Sequence, residues 1–272
     1  MSNPSNELLL SIVDPVSGAD RQSQLDALLL LAAGDGDLAA VRQCLSEGAN
    51  PCAKHPGPSR PWVGGSPLHI AAREDNVAIV SELLPRSDPN ALDDSNTTAL
   101  IIAVFYGNDE IIAMLAPVTD HSLCGDDGLT AFQWAIRQQD ESALRQLLPY
   151  EERCPALSSR GETALMIAAD EGSLDYISQL LLINDPMAKN EKGLDALMFA
   201  AGAGDVGAIQ RLAPHSDLAA TSTQGKTAAD IARDSGNGQA SELLRAMALA
   251  ATEKAALSAQ MPISSVLKKN RL

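Results

Sequence analysis

Positive charge is scarce in this chain: 20 lysines and arginines stand against 35 aspartates and glutamates, for a formal net charge of −15. That balance argues against nucleic acid or an anionic membrane surface as the main partner, and makes a basic protein the natural complement. Aromatic residues are equally sparse, at 3% of the 272 residues. The apolar mass is mostly Leu, Ala and Ile. It suits helix pairs with close backbone approach better than a β-sandwich, which wants branched and aromatic side chains. No apolar run approaches the roughly eighteen residues of a membrane span, so no membrane insertion is expected. The amino terminus lacks a basic start, and its apolar run from Leu8 to Val13 is broken by Asp14 and Pro15. It does not read as a signal peptide. Cys44, Cys52, Cys124 and Cys154 show no paired spacing, which fits a reduced, cytoplasmic setting.

Chemistry-bearing motifs are also missing. Cys52 and His55 form a C-x-x-H with no second pair at zinc spacing, so no metal site is expected. The acidic stretches at Asp93 and Gly125 lack the alternating ligands and terminal Glu of a calcium loop and read as turns. Nothing matches a phosphate-binding loop or a nucleophile elbow. The chain is therefore expected to be neither an enzyme nor a cofactor carrier.

What the chain has is repetition. The segments ALLLLAAGDG, SPLHIAARED, TALIIAVFYG, TAFQWAIRQQ, TALMIAADEG, DALMFAAGAG and TAADIARDSG begin at Ala27, Ser66, Thr98, Thr130, Thr163, Asp195 and Thr227. Their spacings are 39, 32, 32, 33, 32 and 32 residues. One column is alanine throughout: Ala32, Ala71, Ala103, Ala135, Ala168, Ala200 and Ala232. A small residue there lets neighbouring helices pack closely. Fourteen residues into most segments an apolar column runs Val41, Val80, Ile112, Leu144, Ile177, Ile209, with Ser241 last. Three residues on lie Cys44, Leu83, Leu115, Leu147, Leu180, Leu212 and Leu244, the stripe of a second helix. Ser or Thr opens the first helix in five of the seven segments as an N-cap. Gly36, Gly107, Gly172, Gly204 and Gly236 close it. Pro85, Pro117, Pro149 and Pro214 share a column where proline is expected to stop the second helix. The aromatics Phe132, Trp134 and Phe199 fall on columns expected to be core.

These residues resemble the ankyrin repeat family; SPLHIAA at Ser66 nearly matches its T-P-L-H-x-A signature. The resemblance implies an all-α solenoid of about seven stacked helix-turn-helix units with projecting hairpin loops. It covers a repeat domain over 25–247, between an N-terminal extension or cap (1–24) and an Ala-rich helical cap with a basic tail (248–272). It implies a protein-interaction module that meets its partner on a concave face of hairpin tips and first-helix ends. Carried over by position, that face holds Arg73, Glu74, Phe105, Tyr106, Arg137, Gln138, Asp170 and Glu171 at the helix ends. The tips add Trp62, Asp94, Asp126, Asp127 and Arg160.

Phe105 and Tyr106 are the expected anchor, because Tyr, Trp and Arg dominate binding hot spots. In the alternative, Phe105 turns inward beside Val104. Trp62 sits in an insertion between Ala53 and Gly65 that accounts for the longest spacing; the alternative folds it back onto the first repeat. The partner is expected to be one specific, basic protein, bound by an inhibitor, immunity-type or effector-type module that is monomeric when unbound. The competing reading is a structural scaffold that self-associates.

Overall fold

The computed structural model describes residues 18–54, 64–153 and 156–260. Trp62, with residues 55–63 of the insertion, and the basic tail lie outside the described residues. Fourteen α-helices follow one another among the described residues, with a single isolated antiparallel bridge, Cys124 to Thr130, and no strand. The chain divides into two compact units between Ser159 and Arg160.

The first unit holds α1 (Gly18–Asp35), α2 (Leu38–Ser46), α3 (Pro67–Arg73), α4 (Val77–Leu83), α5 (Ala99–Tyr106), α6 (Asp109–Leu115), α7 (Ala131–Gln138) and α8 (Glu141–Arg153). The odd-numbered helices pack on one another in a row, and the even-numbered helices form a second row against them. The second unit repeats the scheme with α9 (Ala164–Asp170), α10 (Leu174–Leu180), α11 (Ala196–Ala203), α12 (Val206–Leu212), α13 (Ala228–Asp234) and α14 (Gly238–Gln260). All seven alanines of the invariant column are buried, as are both columns of the second helices, Cys44 included. Burial pushes the Cys44 thiol pKa up to about 11, so this cysteine behaves as a small apolar residue.

Five of the seven first helices are started by a side-chain cap. The side chains of Thr98, Thr130, Thr163, Asp195 and Thr227 accept the backbone N–H three residues on. The second helices are tied sideways to the preceding repeat. Nδ2 of Asn76 donates to the Ala33 carbonyl at 3.3 Å, that of Asn108 to Ala72 at 2.6 Å, and that of Asn237 to Gly202 at 2.8 Å. Hairpin tips are laddered too, Asp126 N–H to the Ser95 carbonyl at 3.0 Å and Thr223 N–H to the Lys192 carbonyl at 3.0 Å.

Three expectations are corrected. Pro149 does not stop its helix: α8 runs through it to Arg153. A proline forfeits only its own N–H bond and strains one carbonyl. Here the added turn gains a partner, since the Tyr150 ring stacks on His121 with centroids 4.3 Å apart. Pro85 and Pro214 instead sit in short 3-10 turns that follow their helices. Trp134 and Phe199 are not core residues but only half-buried, whereas Phe132 is buried. At both ends of the repeat domain a helix runs past the repeat boundary. α1 starts at Gly18 and continues into the first repeat, and α14 carries the last repeat's second helix on through the Ala-rich segment.

Candidate functional site

The first unit carries a groove of about 460 Å³ between its hairpin tips and the ends of α3, α5 and α7. Its floor is Ile70, Ile101 and Ile102, residues that follow or lie within the first-helix starts, and its wall is Phe105, Tyr106 and Trp134. Phe105 and Tyr106 are 48% and 47% exposed. Phe105 stands between the other two rings, edge-on to each with centroids 5.2 Å apart. Such pairs are attractive in their own right, so the three rings hold one another in place.

Two arginines rim the aromatic end. The Arg73 guanidinium lies 5.4 Å from the Tyr106 ring centroid and that of Arg137 6.0 Å from Trp134, both within cation–π range. Arg73 is also 3.9 Å from Glu74, and Gln138 Nε2 donates to the Phe105 carbonyl at 3.2 Å. Trp134 does not stand out in the sequence because its column, Leu31, Ile70, Ile102, Trp134, Ile167, Phe199 and Ile231, is apolar throughout. Position within the repeat was the available signal: this column immediately precedes the invariant alanine, and five of its seven members are only partly buried.

The opposite end of the groove is acidic, lined by Asp93, Asp126 and Asp127. Oδ1 of Asp93 accepts from Ser95 N and Thr97 N at 2.9 and 2.8 Å. Asp127 accepts from Leu129 N at 3.0 Å, and Asp126 from Asn96 Nδ2 at 2.6 Å. Among the described residues no ion pair engages these three carboxylates or Asp94, which is exposed nearby. Deeper in, His69 is buried and bonded on both ring nitrogens. Ser66 N–H donates to Nδ1 at 3.2 Å, so Nε2 carries the proton and donates to the Ala91 and Thr97 carbonyls at 3.0 and 3.1 Å. Burial lowers its pKa, opposed by the charge of Asp93 and by the two carbonyls. The imidazole is a brace between hairpins rather than a reactive group.

The groove thus brings together Arg73, Phe105, Tyr106, Asp126 and Asp127, with Arg137 against its Trp134 wall. Arg160, Asp170 and Glu171 belong to the second unit, where Arg160 and Asp170 are exposed and Glu171 is half-buried. Among the described residues no three His, Cys, Asp or Glu side chains cluster closely enough to hold a metal, and no helix is long and apolar enough to cross a membrane.

Helix pairs stacked by repetition, each presenting an exposed tip and helix end, define the class of helical-repeat binding proteins. The family model of ankyrin repeats matches residues 29–123 and 117–189, and the chain belongs to the ankyrin repeat family. Repeats of this kind mediate protein–protein interaction and are typically not catalytic. Among solved structures, the human ASB11 ankyrin repeat domain is similar at a TM-score of 0.61 and 22% identity, over 79% of this chain and 96% of that one. The ankyrin repeat domain of Bcl-3, a member of the IkappaB protein family, is similar at a TM-score of 0.66 and 23% identity, over 80% and 97%. No curated protein matches the chain.

Proposed function

We propose that this chain holds one specific, basic protein partner, and that the groove over α3, α5 and α7 is where it does so. The observation that carries this reading is the trio Phe105, Tyr106 and Trp134, which stands partly exposed in a chain with few aromatics. Aromatic and arginine side chains around a pocket are the usual source of binding energy at protein interfaces. A repeat stack presents such a surface already ordered, so little entropy is lost on association. The net charge of −15 and the unpaired acidic tips favour a basic partner.

The test is to purify the protein from its native source and identify stoichiometric companions by mass spectrometry, in parallel with the Phe105→Ala/Tyr106→Ala variant. One basic companion is expected with the wild type and none with the variant. Unfolding of the variant should shift by no more than about 2 kcal/mol, because both side chains are already half in water. Retention of the companion by a folded variant overturns the site. Recovery of the protein alone, sedimenting faster as its concentration rises, supports the self-associating scaffold instead.

A further inference from the structure

The two ends of the groove differ in chemistry, and the distance between them is set by one helix. Asp93, Asp126 and Asp127 stand at the hairpin tips, beside the start of α5; Phe105 and Tyr106 stand at its other end. The α5 helix has eight residues, and spans about 12 Å at about 1.5 Å per residue. An extended peptide advances about 3.3 Å per residue. Resting on the proposed partner-binding role of this groove, we propose that its occupant is an extended segment of the partner that carries a Lys or Arg and a bulky apolar side chain about three or four residues apart. The cation meets Asp93, Asp126 and Asp127; the apolar side chain packs on Phe105, Tyr106 and Trp134.

The carboxylate charge exceeds what the fold requires, which is why it points outward to a ligand. Asn190 occupies the same place in its repeat as Asp93, and its Oδ1 accepts the same two bonds, from Lys192 N and Leu194 N, each at 3.0 Å. Ser222, one repeat further, accepts from the corresponding Gln224 N and Lys226 N at 3.3 and 3.4 Å. Neutral acceptors close the hairpin with the same pair of bonds, at somewhat greater length. Asp126 and Asp127 also use an acceptor oxygen that an asparagine would keep. At the aromatic end Arg73 and Arg137 already lie against Tyr106 and Trp134. A ligand cation there would meet like charge, so that end is left to an apolar group and the cation is directed to the tips.

The experiment uses the full-length protein against an array of short Ser/Gly peptides carrying one Arg and one Leu at every spacing up to about seven residues, in both orders. Binding is expected to peak at spacings of three and four. It should fall about tenfold in the Asp93→Asn/Asp126→Asn/Asp127→Asn variant, with an unchanged melting temperature. Binding that ignores spacing, equal binding of Glu/Leu peptides, or equal binding by the folded triple variant overturns the proposal. The native companion separates this failure from that of the binding site itself. A companion lost on Phe105→Ala/Tyr106→Ala but indifferent to the triple variant leaves the groove in place and removes the basic–apolar segment. A companion indifferent to both removes the two readings together.

Discussion

At the scale of single residues, His69 links a local signature to the stack. Its two ring nitrogens join the start of α3 to the following hairpin, and burial holds it neutral. Above its ordinary pKa of 6.5 the imidazole is uncharged in both folded and unfolded chains. Below that pH the unfolded chain takes up a proton that the folded chain refuses, so stability falls as the pH drops through this range. His121, lowered by burial in the same direction, adds to the slope. Gln133 fills the equivalent place in another repeat, accepting from Thr130 N at 3.1 Å and donating to the Ala156 carbonyl at 3.4 Å. The substitution His69→Gln is therefore expected to cost less than about 1 kcal/mol near neutrality. Chemical denaturation across about pH 7.5 to 5 should show a shallower loss than in the wild type. Equal slopes would show that His69 does not titrate with folding.

Among the elements, the cross-repeat amides carry a test of what joins one helix pair to the next. Asn108 donates to the Ala72 carbonyl from the start of α6. Asn108→Ala leaves the carbonyl of buried Ala72 without this partner and should destabilise the fold by about 1–2 kcal/mol in denaturant unfolding. An unchanged midpoint would assign the stacking to apolar contact alone. Helix boundaries were readable where a residue type declares itself. Gly107 and Gly204 end α5 and α11 at φ of +73° and +79°. The same turn in two other repeats is made by Asp75 and Gln139 at φ of +56° and +55°, which no side chain signalled. Neighbouring repeats force the left-handed conformation there at a local cost. Hairpin tips show the converse freedom: Ser95, Asp127, Lys192 and Gln224 hold equivalent places on similar turns. Their charge is open to be set by a ligand.

For the whole molecule the dominant quantity is charge. A field of net −15 should draw a basic partner in and speed the encounter, and salt should screen it. The association rate with the native companion is expected to fall about tenfold or more between about 50 and 500 mM salt, with dissociation changing less. A rate indifferent to salt in stopped-flow measurements would remove the basic-partner reading and leave the aromatic groove. The division into two units bears on the design of such experiments. The candidate groove lies wholly in the first unit, so its variants report on that unit.

Repetition made the all-α class, the repeat boundaries and the buried alanine column readable from the sequence. Each burial requirement is imposed several times over at nearly constant spacing, and that periodicity survives local variation. Phe105 and Tyr106 were readable for the same reason, as rare side chains at a variable place in the repeat. Trp134 was not. Its column is apolar in every repeat, and only the packing of adjacent helices decides which of two apolar faces is covered and which is left beside open space. The pairing of an acidic end with an aromatic end across α5 likewise exists only in the folded unit, where side chains more than thirty residues apart in sequence, from Asp93 to Asp127, line one groove.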